Sequence, residues 1–157
     1  MFLKLITILF VSMVPLIELR GAVPIGVGFG VPEWIVLLVA VIGNFIPVPF
    51  IFKYARRFLE WGSTWHWKPG KKFCKWCLKK GEKGGKKLEE KTGDSIYLAL
   101  MFFVGIPLPG TGAWTGTLAA SMLNLDKKKS LVSIACGLVL ACVIMTLLSL
   151  GVFKVIF

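Results

Sequence analysis

Glu18 and Arg20 are the residues of this chain whose types and setting invite chemistry. They stand in Glu18-Leu19-Arg20-Gly21-Ala22-Val23-Pro24, between an apolar run from Met1 to Ile17 and another from Ile25 to Phe52. An ionisable side chain at membrane depth costs at least about 2.5 kcal/mol, so it faces protein or a water-filled cavity. Burial and a neighbouring cation act on a carboxylate in opposite directions, so Glu18 reads as a group that loads and releases a proton. Arg20 keeps its charge and offers a planar fork suited to carboxylate or phosphate. On one continuous helix positions i and i+2 diverge, and Pro15, Gly21 and Pro24 speak against a continuous helix. The expectation is a helix that enters a membrane, breaks at this sequence and turns back. The plainer alternative is that the two charges bond each other, or exposed backbone carbonyls, and only hold the turn.

A second stretch, Pro107-Leu108-Pro109-Gly110-Thr111-Gly112-Ala113-Trp114, supplies complementary parts. A helix returning after Gly110-Thr111-Gly112 presents free N–H groups and a positive dipole end. Thr111 and Thr115 add hydroxyls. With Arg20 these parts resemble an anion site, the alternative being that glycine and proline only make the turn. The expected binding set is Arg20, Gly21, Gly110, Thr111, Gly112, Trp114 and Thr115, with Glu18 and Arg20 as the proton-coupling pair. Pro15, Pro24, Pro107 and Pro109 are the expected breaks.

Those parts need an apolar frame, and the composition provides one. The chain has 157 residues, 56% of them hydrophobic, with a mean hydropathy of +0.78. A soluble domain has no way to hide so much apolar surface, so one integral membrane domain, residues 1–157, is expected. The net charge of +11 is confined to two connections. Lys53 to Asp94 holds thirteen Lys/Arg against five acids, and Asp126 to Lys129 adds a smaller cluster. Basic connections beside spanning segments set topology and touch anionic lipid, which argues against nucleic acid as the partner. The first segment lacks a small-x-small cleavage site and is not read as a signal peptide.

In chain order, Leu3 to Ile17 is too short to cross a 30 Å core. Gly21 to Gly30 is a small-residue returning arm, Pro32 with Glu33 an exit to water, and Trp34 to Phe52 a full span interrupted by Gly43, Asn44, Pro47 and Pro49. Asn44 is expected to bond across helices or to satisfy backbone freed by the prolines. Lys53 to Gly93 faces water, with Trp61, Trp65 and Trp67 as headgroup anchors. Phe73, Trp76 and Cys77 mark a surface helix, broken at Gly81, Gly84 and Gly85. Ser95 to Ile106, the second break, the arm Thr115 to Leu125 and the span Ser130 to Phe153 then repeat the first pattern.

Each unit makes one net crossing, so the second is expected to be inverted. The fold is therefore expected to be all-α: two inverted repeats (1–52 and 95–157), each a re-entrant helical hairpin followed by one transmembrane helix. A basic amphipathic cytoplasmic segment (53–94) lies between them. Such an arrangement places a site at the midplane. It also puts both basic connections on one side, as the positive-inside rule prefers over four plain spans, with both termini outside the cytoplasm.

Glu18 to Pro24 and Ile106 to Trp114 resemble the two signature segments of the small multidrug export protein family. That family is itself similar to the DedA/VTT membrane proteins, which have paired re-entrant hairpins. The resemblance implies roles for Glu18, Arg20, Pro107, Pro109 and Gly110 in proton-dependent handling of a polyprenyl phosphate carrier or in lipid scrambling. Thr111 stands where a DedA-type motif carries an acid.

The leading expectation is a proton-coupled transporter or flippase of an anionic lipid phosphate. One alternative is a proton-coupled exporter of cationic drugs, and another is a lipid-organising protein without transport. No enzyme chemistry, cofactor or metal is expected: Cys74 and Cys77, with His66, supply too few ligands for structural zinc. Membrane lipids are the expected partners, and a chain this small leaves room for a homodimer.

Overall fold

The computed structural model describes residues 1–15, 17–64, 66, 68–108 and 111–156. Their secondary structure is helical throughout: α1 (Phe2–Met13), α2 (Glu18–Gly28), α3 (Glu33–Phe45), α4 (Pro47–Gly62), α5 (Lys68–Thr92), α6 (Ser95–Gly105), α7 (Ala113–Met122) and α8 (Lys127–Ile156).

Two interruptions have the same cause. A proline drives the preceding residue out of the helical region. Val14, before Pro15, sits at φ −71, ψ 126 and closes α1. Ile106, before Pro107, sits at φ −81, ψ 121 and closes α6. Both helices are left at about 17 Å, half of what a bilayer core needs. The returning helices also end alike. Gly30 (φ +67) and Asn124 (φ +57) take the left-handed conformation. The following N–H then reaches back, Val31 to the Gly26 carbonyl (3.3 Å) and Leu125 to the Ala120 carbonyl (3.1 Å). This is the Schellman ending, completed by a buried aliphatic residue: Val31 in one case, Leu125 in the other.

Cross-contacts tie the outer ends of each helix pair together. Lys4 Nζ donates to the Phe29 carbonyl (2.7 Å), joining the start of α1 to the end of α2. The Asp126 N–H donates to Tyr97 Oη (3.1 Å) and Lys129 pairs with Asp94 (2.6 Å), joining the start of α6 to the turn after α7 and to the first turn of α8. Helix α3 packs on α1 and α2, and α8 packs on α6 and α7. Across the molecule α2 meets α8 and α7 meets α4. The shared core holds Ile8, Leu19, Val36, Val104, Ile134 and Leu138.

Helices α3 and α4 make a nearly continuous run, Glu33–Gly62, and with Lys127–Gly151 of α8 they are long and apolar enough to cross a membrane. Only about a third of either window is buried inside the protein. Leu38, Ile42, Val139 and Leu147 on the outer faces are all more than half exposed. Core helices of a soluble protein would hide these side chains.

Several expectations need correction. The first break lies ahead of residues 18–24, not within them: Pro15 ends the first helix, α1 stops at Met13 rather than Ile17, and α2 starts at Glu18 and runs through Pro24. The ring has no N–H for the Arg20 carbonyl, a gap that membrane helices tolerate when neighbours re-satisfy the freed group. The first span does not stop at Phe52 but continues to Gly62. Its cation Arg56 bridges Glu60 (2.9 Å), Glu82 (2.6 Å) and the Asn124 side chain. Helix α5 does not break at Gly81, Gly84 and Gly85. Gly81 lies against the Met122 carbonyl and Gly85 against that of Leu123, so the missing side chains let α5 rest on the end of α7. This contact brings the two basic connections to the same end of the molecule. Trp65 and Trp67 lie outside the described residues.

A methyl group at position 85 would collide with the Leu123 backbone, whereas at position 84 it meets only the flexible end of the Leu123 side chain (3.4 Å). Gly85→Ala is expected to lower the thermal midpoint in detergent by roughly 3–8 °C, from an overpacking cost of about 1–3 kcal/mol. Gly84→Ala should leave it unchanged or raise it by up to about 4 °C, since a Gly-to-Ala change inside a helix is favourable by up to about 1 kcal/mol.

Candidate functional site

The two interruptions meet tip to tip. Glu18 opens α2 with φ +48 and is only 6% exposed. Its carboxylate accepts from the Trp114 N–H (3.1 Å), 96 positions along the chain, and faces the Ala113 N–H as well. It therefore caps α7 from another helix, giving acceptors to orphan N–H groups and a negative charge to the positive dipole end.

Two residues on, Arg20 points elsewhere. Its Nη2 donates to the Thr111 carbonyl (2.5 Å) and hydroxyl (2.7 Å). Thr111 in turn organises the break: its hydroxyl lies 2.9 Å from the Ile106 carbonyl and 2.8 Å from that of Leu108. The divergence of i and i+2 on a helix is thus used to hold two successive parts of one loop. No ion pair joins Glu18 to Arg20 among the described residues.

Gly112 makes the fit possible. Its φ of +146 is closed to most residues, and a Cβ there would run into the Glu18 carboxylate. The other expected site residues have more local duties. Thr115 Oγ1 donates to the Gly112 carbonyl (3.3 Å) within its own turn. A side chain at Gly21 would collide with Ile17, so this glycine lets the start of α2 pack against the turn before it. Pro15 and Pro107 belong to the breaks, as expected. Pro109 and Gly110 lie outside the described residues.

The N–H groups expected to receive a substrate anion are held by the protein's own carboxylate. A second departure is Asn44, on α3 beside Glu18. It is fully buried, yet both polar atoms of its amide lack a hydrogen-bond partner, as does the Trp114 indole N–H. Asn44 therefore satisfies no freed backbone, and its approach across helices to Glu18 falls short of full hydrogen-bond geometry. An asparagine inside an apolar span was the available signal for it.

A groove of about 650 Å³ opens elsewhere, between the first turns of α6 and α8. Leu98, Met101, Val132 and Cys136 line it, with Asp94 and Lys129 at its polar end, and it does not include Glu18 or Arg20.

The family described as "Putative small multi-drug export protein" matches residues 18–144, from Glu18 at the start of α2 through α7 and into α8. The chain belongs to this family. Membership in an export family, together with two apolar helices of spanning length, makes this small multi-drug export family chain a membrane protein. No curated protein and no solved structure matches it significantly.

In this family member the tip contact should depend on the space at Gly112. Gly112→Ala is expected to displace the Glu18 carboxylate and lower the thermal midpoint by roughly 5 °C or more, through strain at positive φ and the collision together. Thr115→Val, which removes only a bond within one turn, should shift it by less than about 2 °C. Parallel melting curves in one detergent check both.

Proposed function

We propose that this protein is a proton-coupled exporter of small amphipathic cations, with Glu18 as the coupling group. The observation that carries this reading is the bond from the Trp114 N–H to the Glu18 carboxylate, which ties the tips of two separate helical hairpins. Ionised, that carboxylate holds the positive end of α7. Protonated, it loses its charge and most of its hold, so the hairpins can separate. A cationic cargo competes for the same carboxylate, which makes cargo and proton mutually exclusive on one group. Arg20 is turned into the Thr111 loop and does not face that carboxylate as a salt-bridge partner.

The architecture supports this reading. The matched breaks, matched Schellman endings and reciprocal packing of α2 on α8 and α7 on α4 are what two inverted repeats would give. The pairs α1–α2 and α6–α7 then act as re-entrant hairpins entering from opposite faces, an arrangement akin to the DedA/VTT proteins. Because the basic connections share one end, the positive-inside rule assigns that end to the cytoplasm and both termini to the outside. Exposed Phe73 and Trp76, with Lys80 over the Trp76 ring (5.9 Å), suit α5 to the surface of an anionic bilayer, making membrane lipids the partners.

A lipid phosphate is a less suitable cargo. It would have to take the α7 N-terminus that Glu18 fills, and the family description names drug export.

The test is reconstitution into liposomes with a pH gradient and a fluorescent lipophilic cation. Proton-driven efflux is expected for the native protein, at least tenfold slower for Glu18→Gln and close to native for Thr115→Val. Efflux that ignores both the gradient and Glu18→Gln would sink the reading. Movement of labelled polyprenyl phosphate in the same vesicles, without movement of the cation, would favour the lipid alternative.

A further inference from the structure

Asn44 has no evident structural use. An amide buried in an apolar helix packing with neither donor nor acceptor satisfied destabilises the fold, and native interiors rarely keep such a group without a function. Its amide N–H lies close enough to act favourably on the ionised Glu18 carboxylate, yet neither polar atom of the amide reaches full hydrogen-bond geometry, and the amide oxygen has no donor facing it. The other groups around that carboxyl are Arg20 on α2 and the Ala113 and Trp114 N–H groups of α7. Helices α1 and α8 also pack on α2. The lysine of α1, Lys4, is held far away at Phe29, and Lys129 of α8 at Asp94. Lys127 and Lys128 stand in that same first turn of α8.

The hydrogen-bonding inventories of the two side chains decide what Asn44 suits. An ionised carboxylate only accepts, so the amide oxygen has nothing to take from it. A protonated carboxyl has one O–H to give and one carbonyl oxygen to receive, and a primary amide has the complement of both. Asn44 therefore matches the neutral form of Glu18 at two points and the charged form at one.

We propose that Asn44 is the resting partner of proton-loaded Glu18. A proton taken from bulk water neutralises the carboxylate, which leaves the α7 N-terminus and pairs with the amide. Its O–H donates to Asn44 Oδ1, and Asn44 Nδ2–H donates to its carbonyl oxygen. Loss of the proton to water returns Glu18 to the Trp114 N–H. The amide left unsatisfied in the ionised state is satisfied in the other, so Asn44 lowers the cost of carrying a neutral Glu18 between the two faces. This rests on Glu18 being the coupling group, as proposed above.

The experiment is a two-by-two set of melting curves in detergent at neutral pH, using Asn44→Leu with and without Glu18→Gln. Glu18→Gln places a neutral donor–acceptor group where the protonated carboxyl would be. Alone, Asn44→Leu is expected to raise the midpoint by roughly 2–4 °C, because it removes an orphaned amide. With Glu18→Gln present it should lower the midpoint by a similar amount, because it removes a formed pair. A shift of the same sign and size in both backgrounds overturns the proposal.

Should leucine fail to pack, Asn44→Ala is read by infrared difference spectroscopy between neutral and acid pH. The carbonyl stretch of protonated Glu18 is expected to move when the amide is removed, and an unmoved band overturns the pairing. Neither readout involves efflux. Absent efflux with a sign reversal present would count against the export reading alone.

Discussion

One carboxylate placed on the end of a helix that is not its own holds this molecule together across its middle. Helix α7 begins inside an apolar packing, where unpaired N–H groups and a positive dipole end would otherwise have no answer. Glu18 begins in the same packing with a charge that would be equally costly alone. Each resolves the other's burial, and the price is that both must arrive at the same point from distant parts of the chain. The X-Pro breaks set where the first helices stop, Gly112 leaves the room, and Arg20 holds the incoming loop by its Thr111 carbonyl and hydroxyl. A bond between charge and dipole is strong while the charge lasts and weak when it is gone. That property distinguishes this centre from an apolar one of equal tightness, which would not respond to a proton.

Much of this plan was legible in the sequence because its causes are local. The stops at Val14 and Ile106 follow from the proline next in line, and the pairing of basic connections follows from where the lysines fall. What escaped needs three dimensions. The divergence of Glu18 and Arg20 suggested poor partners for each other, but nothing in the spacing said that each would find a partner more than ninety residues away. Pro24 looked like a break because its missing N–H is certain, whereas the neighbours that compensate for it are invisible along the chain. The glycines of α5 looked like interruptions for the same reason. Glycine weakens an isolated helix, yet where another backbone must approach it is the residue that permits contact. Asn44 was noticed as a polar residue in a span, but that it would face Glu18 without a full hydrogen bond depends on its neighbours in space, which no pattern encodes.

The tip contact is lopsided in a way that bears on how the protein can change. Among the described residues, the charged side chains of the contact come from α2, while the loop before α7 and its first turn offer backbone N–H groups, a backbone carbonyl and the Thr111 hydroxyl. Side chains carry the burden on one half and main-chain shape on the other. Drift in sequence is therefore constrained differently in the two halves. Positions 18 and 20 are bound to particular functional groups, whereas the stretch around 113 and 114 can exchange its side chains so long as the curve of the chain survives. The two sides of this contact are thereby free to diverge, one held to particular charged groups and the other to a contour of the main chain.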